Sequence, residues 1–336
     1  MRVFVTGASS LIGAGVVQRL VTRGDRVATL QRRRAPGLPD VVEQHLGDVA
    51  DADVVQRAIE GCDGMIHLAA KVGVVGDRSD YASTNVEGTR NVLDAARRHG
   101  VQRVVHVSSP SVAHDGTPII GGGADTALRQ HGSAWYPETK AIAEELALDA
   151  NDGHTAVTVI RPHLVWGPGD TQLVGRIAER AAQGRLALVG GGAALVDTTY
   201  IDNATSVLVA AIDAVGPGER CAGRAYVVSN GEPRPIRELV EGICLAAGVP
   251  FAPRDVPLAA ARRIGSVIDR AWPRLGRTDE PPLTRFLADQ LGTAHWFDPR
   301  PVRDDLGWAP EVSIDDGLAE LASWFDRSGR RGSDSR

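Results

Sequence analysis

The first thirteen residues constrain the fold more than any later stretch. Val3-Phe4-Val5 is a short apolar strand. Thr6-Gly7-Ala8-Ser9-Ser10-Leu11-Ile12-Gly13 is a glycine-bounded turn, and an amphipathic helix is predicted from about Ala14 to Arg23. Strand, turn and helix in that order make an anion site, because backbone N–H groups and the positive end of the helix dipole face a phosphate. Gly7 allows the tight turn and Gly13 lets the helix lie against the strand. Ser9, Ser10, Leu11 and Ile12 complete the candidate pyrophosphate contact. Ser10 stands where glycine is usual, but serine is small and its hydroxyl can donate to phosphate.

The pattern then repeats. Arg26–Leu30, a stretch led by Gln44-His45-Leu46 and ending at Gly47-Asp48-Val49, Gly64–Ala70 and Val101–Val107 read as strands, with helices at Asp51–Glu60 and Ala82–His99. Such alternation predicts an α/β, Rossmann-like, doubly wound parallel sheet with ligands at the carboxyl ends of its strands. We expect this dinucleotide-binding domain over residues 1–165, rejoined by 196–230. A smaller, mostly helical substrate-binding region is expected at 166–195 and 231–326. The Ser/Gly/Arg-rich tail 327–336 is expected to be disordered.

The second strand ends in Gln31-Arg32-Arg33-Arg34. NAD-binding turns place a carboxylate there for the ribose 2′-hydroxyl. None is present, and arginine pairs well with phosphate, so NADP(H) is expected over NAD(H), with Arg32 as a contact.

Of the 37 basic residues only Lys71 and Lys140 are lysine. Lys140 lies four residues after Tyr136, on one helical face. A phenol with a pKa near ~10 needs roughly 4 kcal/mol to reach ~7. One positive charge at ~4 Å and an effective dielectric of ~20 supplies about that much. Tyr136 could then exchange a proton with a carbonyl or alcohol oxygen. A chance pair on an exposed helix is the competing reading, and only the context decides.

Composition excludes other classes. The net charge is −5 without a basic stripe, against a dedicated nucleic-acid binder. Cys62, Cys221 and Cys244 are far apart and form no C-x-x-C, so neither a disulfide framework nor a zinc knuckle is expected, as suits a reducing cytoplasm. No signal-peptide core and no membrane-length apolar run occurs.

Asp48-Val49, H-L-A-A at 67–70, N-V-E-G-T-R-N-V-L at 85–93, V-S-S at 107–109, Y-P-E-T-K at 136–140 and R-P-H-L-V-W-G-P-G at 161–169 follow the turn in order. Together they resemble the extended short-chain dehydrogenase/reductase family. The resemblance implies a triad of Ser109, Tyr136 and Lys140, with Ser108 as the fallback serine. It implies that Asp48 and Val49 border the adenine, that Ala69, Ala70 and Lys71 line the cofactor, and that Lys140 also holds the nicotinamide ribose. Pro162, His163, Leu164 and Val165 would lie by the nicotinamide, and Asn85 would anchor its helix to the sheet.

W-G-P-G-D-T-Q-L-V at 166–174, V-D-T-T-Y-I-D-N-A at 196–204, S-N-G-E-P at 229–233, P-P-L-T-R-F-L at 281–287 and A-H-W-F at 294–297 are similar to the 3β-hydroxysteroid dehydrogenase branch. Within it they are most similar to the bacterial reductases of 2-alkyl-3-oxoalkanoic acids in long-chain olefin synthesis. This implies NADPH-dependent reduction to the 3-hydroxy acid before β-lactone formation, a homodimer, and association with other olefin-pathway enzymes. A 3β-hydroxysteroid or sterol-4-carboxylate 3-dehydrogenase is the first alternative. A nucleotide-sugar epimerase and a non-enzymatic NADP-sensing regulator are lesser ones.

On the substrate side, Leu258, Ile264, Val267, Ile268, Trp272 and Leu275 share a helical face, and Phe286, Leu287 and Leu291 continue it. This is either a core-facing helix pair or an apolar lid over a fatty substrate, with peripheral lipid contact. Lys71 follows the fourth strand and could pair with the carboxylate of a 3-oxo acid. Ser111 is a second candidate substrate contact. His67 reads as a packed strand residue. His163 and His295 lie in no metal-ligand spacing, and no metal is expected.

Overall fold

The computed structural model describes residues 1–73, 76–125, 135–275 and 281–333. Strands β1 (Arg2–Thr6), β2 (Arg26–Gln31), β3 (Glu43–Leu46), β4 (Gly64–His67) and β5 (Arg103–Val107) precede a short β6 (Ile119–Gly122), followed by β7 (Ala156–Pro162) and β8 (Arg224–Val228). All but β6 form one parallel sheet in the order β8-β7-β5-β4-β1-β2-β3. Helices α1 (Leu11–Thr22), α2 (Ala52–Ala58), α3 (Arg78–Tyr81, the π turn Ala82–Glu87 and Gly88–Arg98), α4 (Trp135–Asp149), α5 (Val174–Ala182) and α6 (Ile201–Ala214) run between the strands.

Side chains alternate across the strands, so the central ones are apolar on both faces. Val3 and Val5 join Val16, Val17 and Leu20 of α1 and Val207, Leu208 and Ile212 of α6 on one face. Phe4 joins Val55 of α2, Val92 and Leu93 of α3 and Ala147 of α4 on the other.

Beyond β8 come α7 (Ile236–Ala246), α8 (Leu258–Arg274), α9 (Arg285–Gly292), α10 (Arg300–Leu306) and α11 (Ile314–Ser333). A second core gathers Trp166, Leu188, Tyr200, Leu239, Ile243 and Leu321. Beside it lies a small sheet in the order Arg234–Pro235, Leu195–Val196, His295–Phe297, β6.

The expected division of the chain needs three corrections. β6 falls inside the stretch assigned to the cofactor domain, yet it pairs with His295–Phe297 of the C-terminal region. Conversely, Val302, Leu306 and Trp308 return to the core of the large sheet, where Trp308 Nε1 donates to Ser206 Oγ at 2.9 Å. Amphipathic segments are buried where a partner face is uncovered, whatever their order in the chain. Finally, α11 continues through 327–333, which was expected to be disordered. Its turns carry on from the packed part of the helix, and arginine is a good helix former. Residues 334–336 lie outside the described residues.

The apolar face expected over 257–275 is also divided. Ala261 and Gly265 turn to α9, where a Cβ on Gly265 would stand 2.5 Å from Arg285 N. Ile264, Val267 and Leu275 face outward, 47%, 63% and 68% exposed. Close helix approach selects the small residues for the contact.

Candidate active site

Ser10 starts α1. Its backbone is extended and its Oγ accepts from Gly13 N–H at 3.0 Å, so the helix begins at Leu11, a turn earlier than predicted. This N-cap satisfies one of the orphan first-turn donors and leaves the hydroxyl hydrogen of Ser10 for a ligand. Gly7 has φ +71°, and a Cβ there would stand 2.9 Å from Ala69 N; one on Gly13 would stand 2.3 Å from Gly7 O. Ser9, Ser10 and Leu11 are exposed at the helix end and Ile12 is half-buried. A close backbone turn that side chains would fill, opening on an exposed helix N-terminus, fits a dinucleotide pyrophosphate.

Thr6, which sequence reasoning passed over, ties this turn to its neighbour. Its Oγ1 accepts from Leu68 N–H at 3.2 Å and Ala69 N–H at 3.1 Å and meets His67 Nδ1 at 2.7 Å. Ala69 and Ala70 are thereby held half-exposed beside the turn. His67 also meets Thr89 Oγ1 at 3.1 Å. Burial, helped by the Lys140 charge, pushes its imidazole down to about 3, so it is the packed, neutral residue expected. Arg32, Arg33 and Arg34 are exposed at the end of β2, while Gln31 is buried and donates to Gln44 Oε1 at 3.0 Å. Asp48 is half-buried and accepts from Ala50 N–H at 3.0 Å. Val49 is buried in the core, so its side chain is structural.

Ser109 N-caps the 3-10 turn Pro110–Ala113. Its Oγ accepts from Ser111 N–H at 3.3 Å and Ser111 Oγ at 3.0 Å, which leaves its own proton free to donate. Ser109 and Tyr136 line the same cavity, and the serine hydroxyl acts on the phenol. Ser108 has a buried Oγ without a hydrogen-bond partner and does not reach Tyr136. Burial raises the Tyr136 pKa, the Ser109 hydroxyl opposes this, and the Tyr81 phenol adds to it. The expectation that Lys140 acidifies Tyr136 is therefore corrected. Lys140 is buried, its Nζ donates to the Val107 carbonyl at 2.7 Å and lies 3.5 Å from His106 Nε2. The carbonyl at the end of β5 holds the ammonium. Burial pushes its pKa down to about 8.

Asn85, in the π turn, clips the helix as expected. Its Oδ1 accepts from Lys71 N–H at 2.7 Å, and its Nδ2 donates to the Lys71 carbonyl at 3.1 Å and to Thr139 Oγ1 at 3.0 Å. Lys71 itself is half-buried. Its Nζ donates to Asp80 Oδ2 at 2.7 Å and stands 5.0 Å from the Tyr81 ring centroid. For Lys71 to meet a substrate carboxylate, this partly exposed ion pair with Asp80 has to open.

A cavity of about 150 Å³ opens on Ser109 and Tyr136, walled by Ser111, Leu164, Phe286 and Phe297 and by His114, His163 and His295. Leu164 has φ +42°, the one positive φ outside glycine among the described residues, and such strain concentrates at functional sites. Pro162 and His163 are buried, while Leu164 and Val165 are half-buried. The arrival of His114 and His295 at this cavity was not foreseen. Nor was the buried pair of Arg161 on β7 and Glu144 on α4, joined at 3.0 Å between Nε and Oε2. Among the described residues no group of His, Cys, Asp or Glu could hold a metal, and no helix is long and apolar enough to cross a membrane.

The 3-beta hydroxysteroid dehydrogenase/isomerase family model matches residues 4–254. The chain belongs to this family. It is an NAD(P)-dependent oxidoreductase of the extended short-chain dehydrogenase/reductase type. Among its relatives, a 2-alkyl-3-oxoalkanoate reductase of Stenotrophomonas maltophilia is 47% identical over 96% of this chain and 98% of its own. A protein of the same name in Shewanella oneidensis is 36% identical over 95% and 84%. A 3-beta-hydroxysteroid dehydrogenase of Mycolicibacterium neoaurum is 30% identical over 96% and 91%. The fold is also that of a short-chain dehydrogenase/reductase superfamily protein of Agrobacterium tumefaciens solved with bound NAD (TM-score 0.76, 22% identity, all of both chains).

Proposed function

We propose that the chain reduces hydrophobic 2-alkyl-3-oxoalkanoic acids to 3-hydroxy acids with NADPH. The reading is carried by Ser109 and Tyr136 standing together at the wall of a cavity lined by Leu164, Phe286 and Phe297, in a chain with so similar a relative of that name. When bound, the dinucleotide supplies the hydride that the ketone carbon accepts. Tyr136 then gives its phenolic proton to the oxygen, which leaves a hydroxyl group. Burial keeps that phenol protonated at neutral pH, the state a reduction requires. Ser109, braced by Ser111, donates to the same oxygen. Lys140 stays cationic below about 8 and is suited to the ribose hydroxyls and to returning the proton to Tyr136.

The test is cofactor consumption with NADPH and NADH against branched fatty 3-oxo acids and sterol 3-ketones. Fatty acids turning over with NADPH support the reading, and preference for sterols transfers it to the sterol dehydrogenases. Neutralising Arg32, Arg33 and Arg34 together to alanine should lower kcat/KM with NADPH by about tenfold or more, on the scale of a charge-assisted hydrogen bond, and leave that with NADH within threefold. A wild-type preference for NADH removes the assignment.

We also propose a cytoplasmic homodimer, associated with other olefin-pathway enzymes, whose α8 touches lipid. Ile264, Val267 and Leu275 lie exposed among the exposed Arg263, Arg270 and Arg274, a pairing suited to an anionic bilayer. Vesicles rich in anionic lipid should co-sediment the protein, and Val267→Asp should abolish this; equal sedimentation of both rejects the contact.

A further inference from the structure

We propose that His114, His163 and His295 form the subsite for the carboxylate of the 3-oxo acid, which shares a proton with His295 Nδ1. The inference rests on the reductase reading and deepens it, since it makes the free acid, rather than an ester or thioester, the substrate.

The three imidazoles come from separate segments. His114 follows the 3-10 turn, His163 follows β7, and His295 opens a strand of the small sheet. Ring centroids lie 5.0 Å apart for His114 and His295 and 5.9 Å apart for His163 and His295. All three line the cavity that holds Ser109 and Tyr136, and neither lysine nor arginine lines it among the described residues. Among the described residues a carboxylate there has these rings, Gln290 and the hydroxyls as side-chain polar partners.

The hydrogen bonds fix the tautomers. Thr293 Oγ1 donates to the Asp289 carbonyl at 2.7 Å, so toward His295 it accepts, and Nε2 at 2.9 Å carries the hydrogen. His295 Nδ1 is then a bare lone pair, buried without a partner. Buried polar atoms are seldom left so. His163 Nδ1 donates to the Asp197 carbonyl, which leaves Nε2 as its lone pair. His114 Nδ1 accepts from Gly116 N–H at 3.2 Å, so its Nε2 carries a hydrogen that can donate to one carboxylate oxygen. The lone pair of His295 repels the anion and is satisfied by an acid that arrives with a proton, as a charge-assisted bond.

The surroundings favour neutral rings before binding. Burial is the main cause for each: it lowers His114, takes His163 to about 4 and His295 to about 3. The charges facing the cluster are Asp115 beside His114, Asp289 on α9 held by Arg262 at 2.6 Å, and Asp197. Asp197 is raised to about 6 by burial, takes Ser229 Oγ at 2.6 Å, and has Glu232 nearby. None of these carboxylates pairs with a ring nitrogen. The bound carboxylate is thus the nearest counter-ion, and binding it takes up a proton. The sign follows: affinity for the acid is highest at low pH and declines as pH rises, while that for a neutral ester stays level.

The stable probe is a 2-alkyl-3-hydroxy acid with its methyl ester, since 3-oxo acids lose carbon dioxide. Calorimetric titration of the wild-type protein in buffers of different ionisation enthalpy should show uptake of about one proton per acid bound and none for the ester. His295→Phe should weaken acid binding by about thirtyfold, on the scale of a charged hydrogen bond, and ester binding by less than threefold. His295→Asn, which places a donor where Nδ1 stands, should recover part of the loss. Acid binding without proton uptake by the wild-type protein overturns the proposal, and so does an equal loss for acid and ester in His295→Phe. Oxidation of both compounds with NADP⁺ separates the two readings. Equal kcat/KM for acid and ester dismisses the subsite and spares the oxidoreductase. Proton-linked acid binding without any oxidation keeps the subsite and dismisses the reductase.

Discussion

Tyr136→Phe should lower kcat by about 10²–10⁴-fold, the usual contribution of a positioned general acid, while leaving dinucleotide affinity within twofold. The substitution removes one oxygen. Ser109 keeps its two bonds from Ser111, so the serine stays in place and the missing proton donor is the only chemical change. Steady-state NADPH oxidation and a fluorescence titration of the dinucleotide measure the two quantities. Turnover near the wild-type rate would remove Tyr136 from the chemistry. Because burial raises the phenol, the wild-type reduction should also hold its rate across neutral pH instead of falling as a ~7 acid would require.

Glu144→Ala should destabilise the protein by about 3–5 kcal/mol, because it strands a buried guanidinium. Both side chains of the pair are 1% exposed, and among the described residues the guanidinium otherwise reaches only the Asp125 carbonyl, at 2.9 Å. The double variant Glu144→Leu with Arg161→Met should recover most of the loss, since replacing both charges removes the desolvation cost as well as the attraction. Thermal melts of the two variants decide this, and a double variant as unstable as the single one would contradict it. The pair links α4, which carries Tyr136 and Lys140, to β7, which leads into His163. Glu144→Ala should therefore lose activity at temperatures where most of the chain is still folded.

Local chemistry made the cofactor half legible. Thr6 to Gly13 announce their turn because glycine geometry and helix capping act over a few residues, and the start of α1 was misjudged by overlooking Ser10 as a cap. Ser109 and Tyr136 were linked by family resemblance rather than by spacing, because what joins them is the packing of α4 against the end of β5. The partners of Lys71 and Lys140 were not legible. Both ammonium groups found acceptors, Asp80 and the Val107 carbonyl, that no periodicity reveals. The three histidines around the cavity share no local pattern, so only the tertiary fold brings them together.

The pairing of β6 with His295–Phe297 and the return of Trp308 to the large sheet interlace the two halves of the molecule. A chimera that swaps everything after β8 would exchange a strand's partner and unplug part of the nucleotide half's own interior. Specificity is more safely transplanted, or diversified over evolutionary time, by exchanging the hairpin of α8 and α9 alone, which carries Phe286 and Gln290 to the cavity and leaves both crossing points intact.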